Sequence, residues 1–288
     1  MINTKKCPIC RRPNDTVYWH SDPTDNSIWC YCTGKCQRGY SLYQYCTAAG
    51  LSLKEFLKAD FAFEEAQSNE VQAMGWPSWF LPLFDTRAKK GLDYIKSRGL
   101  DPGVGDMFYD TASSAIVFPY YLGSTFVGAQ MRFLEPKVNA DGDVQKMDTM
   151  PGTRLSLLVY GSSQQPLPST VKGIIVTEGA FNALSLQQAL NSIYGVVNNP
   201  WRCWAFSGSG LGEHKTDLLK EQIAEGRKVI LAPDADTAGL KMLNKAQANE
   251  CLTHYALPED TDSDWNRLLV SLGSEGLGRY FLNRVKPT

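Results

Sequence analysis

From residue 171 onward, short apolar runs alternate with longer amphipathic ones, and that rhythm restricts the fold more than any other feature of the chain. "GIIVTEG" (173–179) is an apolar run of strand length, and "AFNALSLQQAL" (180–190) has helical spacing. "RCWAFSGSG" reads as strand then turn, "HKTDLLKEQIAEG" as a helix stopping at Gly226, "KVILAPDAD" as a strand and "TAGLKMLNKAQANE" as a helix. "LTHYALPEDTDSDWNRLL" adds a strand, an acidic loop and a helix. Strands separated by helices pair in parallel, and runs that are apolar throughout are covered on both faces. The pattern predicts an α/β fold with a parallel sheet.

That sheet explains an otherwise costly placement of charge. Asp234 and Asp236 stand two residues apart where an apolar run ends, and like charges that close repel. Glu178 ends the run "IIVT" in the same way, and Asp262 and Asp264 follow "HYALP". Ligand sites in open α/β sheets lie beyond the carboxyl ends of the strands. Carboxylates meeting there from separate strands suit Mg²⁺, a hard cation with oxygen ligands. For Asp236 alone, capping the next helix accounts for the residue equally well.

The opposite end of the chain is rich in cysteine. Six of the eight cysteines (Cys7, Cys10, Cys30, Cys32, Cys36 and Cys46) fall within the first 46 residues. "CPIC" and "WCYCTGKCQRGYSLYQY" present two ligand groups on either side of a short predicted hairpin, the arrangement of a four-ligand structural zinc site. Zn²⁺ would supply folding energy that so short a module cannot draw from a core. Cys7, Cys10, Cys32 and Cys36 are the favoured ligands, since Gly34 allows the turn between the last two; Cys30 is the alternate. His20 reads as a surface residue and Cys46 as a packed helix residue.

Between these ends the chain divides into a helical pattern from Leu53 to Glu65, a polar run "EEAQSNE", and a segment rich in aromatics, Gly and Pro. "SSAIVFPYYLGSTFVGAQMRFLEP" (113–136) predicts a hairpin turning at Leu122-Gly123-Ser124, and "SSQQPLPST" (162–170) a loop between subdomains. The expected organisation is a ribbon at 1–50, a linker at 51–71, a mixed α/β basic segment at 72–170 and the parallel-sheet region at 171–288. A net charge of −1 argues against a globally basic binder, though a local basic face is enough for nucleic acid. No apolar run nears the roughly 18 residues of a membrane span, so no membrane partner is expected and the expected location is cytoplasmic.

"IIVTEGAFNALSL", "VILAPDADTAGLKM" and "LPEDTDSDWN" together resemble the Toprim domain shared by DnaG-type primases, type I and II topoisomerases and some nucleases, over about residues 171–270. The resemblance implies Glu178, Asp234, Asp236 and Asp262 as catalytic, metal-directed carboxylates, with Asp264 a weaker candidate. Asn182 departs from the primase pattern, which carries an Asp there. Residues 115–134 and 146–161 are similar to the primase segment preceding Toprim, and imply Arg132, Lys146 and Arg154 as substrate-binding cations. "SGSGLGEHK" is Gly-rich without being a Walker A loop, and Lys215 and His214 are weaker candidates near it. The N-terminal module is similar to the zinc-binding domain of the same primases, where the ribbon reads template DNA. Arg11, Arg12, Lys35 and Arg38 would contact phosphates, and Tyr18, Trp19, Trp29 or Tyr31 the bases.

Taken together, the segments resemble DnaG-type primases, most of all the primase half of T7-like phage primase-helicases. That resemblance implies RNA primer synthesis from NTPs on single-stranded DNA with Zn²⁺ and Mg²⁺ or Mn²⁺, alongside a replicative helicase in a phage-infected bacterial cell. Two other readings stay open: a Toprim nuclease, which gains from Asn182, and a non-catalytic DNA-binding or helicase-loading module.

Overall fold

The structure is a computed structural model, and it describes residues 17–22, 27–32, 39–49, 71–138, 144–162, 167–208, 210–261 and 263–288. The chain separates into two compact units, Met1–Glu70 and Val71–Thr288.

In the first unit, β1 (Val17–Asp22), β2 (Ser27–Cys32) and β3 (Gly39–Ser41) form an antiparallel sheet in the order β1-β2-β3. Tyr18 stands opposite Tyr31 and Trp19 opposite Cys30, so the expected hairpin forms, but Cys30 and Cys32 lie on its second strand rather than beyond it. Helix α1 (Leu42–Ala49) follows directly, and its Tyr45 and Cys46 are buried, as are Cys32 and Tyr40. Cys7, Cys10 and Cys36 lie outside the described residues, as do Arg11, Arg12, Lys35, Arg38 and the side chains of His20 and Cys30.

The second unit begins with an antiparallel meander of five strands: β4 (Phe80–Pro82), β5 (Phe108–Asp110), β6 (Ala115–Leu122), β7 (Thr125–Val138) and β8 (Val144–Thr149). Helix α2 (Lys89–Ser97) connects the first two. β6 and β7 are joined by Gly123 and Ser124, with Leu122 paired to Thr125. Gly123 takes φ of 59° there, a conformation that a two-residue hairpin needs and glycine adopts without penalty.

β9 (Gly173–Thr177), α3 (Ala180–Tyr194), β10 (Trp201–Ala205), α4 (Glu213–Ala224), β11 (Lys228–Leu231), α5 (Thr237–Ala248), β12 (His254–Tyr255) and α6 (Trp265–Arg284) make the expected α/β region. The sheet order is β10-β9-β11-β12-β13, parallel except for β13 (Lys286–Pro287), an antiparallel edge that no sequence pattern announced. Alternation along β9 divides the core. Ile175 joins Ile230, Leu184, Leu190 and Trp265 on one face, while Ile174 and Val176 join Val229, Leu231, Leu219 and Met242 on the other. The first cluster also takes in Ile116, Phe118 and Tyr120 of β6. The Phe118 ring meets Phe181 of α3 edge-on, with centroids 5.1 Å apart. The antiparallel sheet and the α/β region therefore share one core, which fixes β6 and β7 relative to the carboxyl ends of β9 and β11.

Candidate active site

The strand order produces a crevice. The chain leaves β9 toward β10 on one side, while β11 leads toward β12 on the other, so the loops after β9 and β11 diverge. Glu178 is the first residue after β9, and Asp234 lies in the loop after β11. They are close enough for the Asp234 backbone N–H to donate to Glu178 Oε1 at 3.3 Å. Gly239, in the first turn of α5, explains how that helix packs so close. A Cβ at this position would sit 2.1 Å from the Asp234 carbonyl oxygen and 2.9 Å from Glu178 Oε1.

Each acid has a distinct local role. Asp236 caps α5, its Oδ1 accepting from the Gly239 N–H at 2.8 Å, and Asp264 caps α6 by accepting from Arg267 N–H at 2.7 Å. The capping reading of Asp236 therefore holds, and its charge also acts on Asp234 and Glu178, although it does not line the cavity beside them. Burial, then Glu178, Asp264 and Asp236, push Asp234 up to about 7. Glu178 is raised by burial and by Asp236, against the lowering effect of the Asp234 N–H. Asp262 lies outside the described residues.

Asn182 is tied to this group. Its Nδ2 donates to Asp234 Oδ1 at 2.6 Å, and its Oδ1 accepts from the Asn266 N–H at 3.0 Å. Asn266 Nδ2 in turn donates to the Arg98 carbonyl at 3.0 Å. A neutral donor at position 182 spares Asp234 a further repulsion and orients one of its oxygens.

Facing the acids is a cavity of about 300 Å³. Glu178, Asp234 and Asp264 line it together with Arg98, Arg132, Gln130, Phe118 and Phe181. Arg98 lies over the Phe181 ring at 4.9 Å, and its buried Nε has no hydrogen-bond partner among the described residues. Among those residues neither arginine forms an ion pair with any carboxylate. The two signs of charge share one cavity lining without forming an ion pair there. An isolated acid cluster takes a cation, and isolated arginines take an anion. This cavity has chemistry for both together.

Of the three cations expected from the sequence, only Arg132 lines the cavity. Arg132 is paired in register with Met147, which also lines it. Lys146 precedes Met147 on β8 and is exposed, because successive side chains of a strand leave on opposite faces. Arg154 is half-buried at the start of a short 3₁₀ turn, Leu155–Leu157, and is not among the lining residues. Arg98 escaped sequence reasoning. It caps the C-terminus of α2 just before Gly99, where a basic residue followed by glycine reads as an ordinary helix stop. Nor did any period or motif mark Phe118 and Gln130.

A cation such as Mg²⁺ fits the donor set, since Glu178 and Asp234 are oxygen donors whose mutual repulsion a cation would relieve. Among the described residues no three acidic, Cys or His side chains are already drawn together tightly enough to enclose an ion. Two of the acids are occupied in part as helix caps.

Residues 175–269 match the family model described as Toprim-like. No curated protein sequence matches the chain. Among solved structures, the RNA polymerase domain of Mycobacterium tuberculosis primase DnaG superposes with a TM-score of 0.52 at 16% identity, covering 72% of this chain and 79% of that one. The Aquifex aeolicus primase, comprising zinc-binding and RNA polymerase domains, gives 0.52 at 18% identity over 96% of this chain and 81% of that one. A DnaG catalytic core gives 0.51 at 15% identity over 72% and 76%. At such identities the shared property is the fold. Residues 175–269 are thus Toprim-like, and the chain has the fold of the DnaG-type primase catalytic core.

Proposed function

We propose that this chain is a DNA primase that joins NTPs into short RNA primers on a single-stranded DNA template. The observation that carries this reading is the cavity whose lining holds acids and arginines unpaired with one another. A nucleoside triphosphate with a divalent cation brings both missing partners: the metal to Glu178 and Asp234, the polyphosphate to Arg98 and Arg132. Asp236, Asp262 and Asp264 complete the acidic side.

When bound, Mg²⁺ or Mn²⁺ lowers the pKa of a coordinated hydroxyl and offsets phosphate charge. The chain's own residues do the rest. Arg132 and Arg98 hold the triphosphate, and Arg98 is pre-set for it, with its guanidinium stacked on Phe181 and its Nε unspent. Asn182 fixes Asp234, and the Asn182–Asn266 link ties the acidic side to the backbone of Arg98. Placing the two sides rigidly apart is what an in-line phosphoryl transfer needs. Lys146 and Arg154, outside the cavity, suit the template backbone rather than the nucleotide.

The wider organisation follows the same reading. Residues 1–50 form a zinc ribbon held by Cys7, Cys10, Cys32 and Cys36, with Cys30 as the alternate, and contact the template. Residues 51–71 link the ribbon to a polymerase domain whose subdomains are 72–170 and 171–288. A replicative helicase is the expected partner, and a phage-infected bacterial cytoplasm the expected setting. No described helix is long and apolar enough to cross a membrane.

Incubation with labelled NTPs, Mg²⁺ or Mn²⁺ and single-stranded templates of varied sequence tests the proposal. It predicts short oligoribonucleotides that require both template and metal. Template cleavage without NTPs, and no incorporation with them, would assign the site to a nuclease instead.

A further inference from the structure

The loop between β10 and α4 closes one side of the cavity. Ser207 and Gly208 line it, and both hold positive φ, 59° and 135°. A residue with a side chain holds such a backbone only where its surroundings over-determine it. Here three elements do so. The Ser207 hydroxyl is hydrogen-bonded to the Tyr120 hydroxyl of β6, and the Gly208 N–H donates to the Glu178 carbonyl at 2.9 Å. The third is Lys215, whose Nζ donates to the carbonyls of Phe206 at 2.8 Å and Gly210 at 3.3 Å, the residues that bracket the loop.

Lys215 is an expensive residue to keep where it is. It is only 4% exposed, its ammonium lies 5.2 Å from the Phe206 ring centroid, and among the described residues no carboxylate pairs with it. Burial pulls it down to about 8. An apolar side chain would fill the same helical position without the cost of desolvating a charge. What the ammonium adds is two carbonyls drawn to one point.

We infer that Lys215 is a positioning residue: its ammonium ties Phe206 O to Gly210 O and so fixes the face that Ser207 and Gly208 present to the polyphosphate. The inference rests on the primase reading for its kinetic consequence but not for its structural one. Loosening the loop misplaces a wall of the binding cavity while leaving the acids and arginines in place. The loss therefore falls on nucleotide affinity more than on the chemical step.

Hydrogen exchange of the peptide spanning 205–212 and steady-state kinetics on NTP, both in the full chain, test it with Lys215→Met and Lys215→Arg. In Lys215→Met the loop peptide should exchange at least about tenfold faster while the β9 peptide is unchanged. The KM for NTP should rise about tenfold with kcat within about threefold. Lys215→Arg, which keeps the charge and the donors, should recover most of both. If Lys215→Met does not fold, Lys215→Gln carries the same comparison. Wild-type exchange in the neutral variant overturns the inference, as does faster exchange with unchanged KM, or equal damage by Met and Arg. The exchange arm reads the loop whether or not the chain makes primers, so failure of the positioning role and failure of the primase reading give different results.

Discussion

The two sides of the cavity are built in different ways. The acids come from one region and one rule: Glu178 and Asp234 follow parallel strands, and Asp264 begins the helix after the next strand. The arginines follow no such rule. Arg132 lies in the middle of the long strand β7, and Arg98 at the end of α2. A parallel sheet sends every strand end to the same edge, so carboxylates there converge whatever the intervening sequence. An antiparallel meander sends its side chains alternately to two faces, and only packing against α3 decides which face meets the acids. Glu178 and Asp234 can be read from strand-end position, whereas Arg132 is reached only through the primase resemblance and Arg98 only in three dimensions.

The largest expected effects lie on the acidic side. Asp234→Asn and Glu178→Gln keep shape and remove charge. Each should lower primer synthesis about 10³-fold or more in a gel assay, while circular dichroism stays native. Asp236 serves two purposes, and two substitutions separate them. Asp236→Ala should lose activity and also about 1 kcal/mol of stability through the lost cap. Asp236→Asn should lose the activity and keep the stability, since asparagine caps as well. Equal melting temperatures for the two variants would deny the capping role.

Next come the arginines. Arg98→Ala and Arg132→Ala should each raise the KM for NTP by roughly 10- to 100-fold, with Arg98→Lys a poor replacement because lysine lacks the planar fork and the stacking on Phe181. Lys146→Ala should do less, within about threefold for NTP, and act instead through a shallower salt dependence of template binding. A Lys146 effect on NTP equal to that of Arg132 would mean that β8 presents its other face to the substrate.

A smaller effect separates the two sides by pH. The Asp234 carboxyl, ordinarily at 3.8, is raised to about 7 in the fold by burial and by Glu178, Asp264 and Asp236. Between those values the folded chain binds more protons than the unfolded one, so metal-free stability falls as pH rises through that window. A divalent cation relieves the repulsion only where the carboxylates are ionised. Mg²⁺ should therefore raise the melting temperature by a few degrees at pH 8 and much less at pH 5. Asp234→Asn should flatten the dependence, and an equal Mg²⁺ effect at both pH values would contradict it.

Legibility followed the same division. Alternation and strand-end charge point to β9 through α6 and to Glu178 and Asp234 at the cavity, where Asp264, the weaker candidate, also lies; Asp236 does not line it, and Asp262 is outside the described residues. The two-residue turn at Gly123 gave away the β6–β7 hairpin, because glycine and short length leave few alternatives. Arg98 was hidden because its pairing with the site runs through Asn266 and Asn182, contacts 168 and 84 residues apart in the chain. Lys146 was legible as a cation, but the strand register that turns it outward was not. β13 stayed hidden because a two-residue edge strand carries no period.

Acids and arginines that share one ligand in the cavity should bind it as a unit, and calorimetric titration of NTP into the protein tests this directly. With Mg²⁺ present, the wild-type chain should bind NTP at least about tenfold more tightly than without it. Asp234→Asn should abolish that metal dependence, and Arg98→Ala should weaken binding with or without metal. NTP binding indifferent to Mg²⁺, or unchanged by either substitution, would contradict a shared ligand between the two sides.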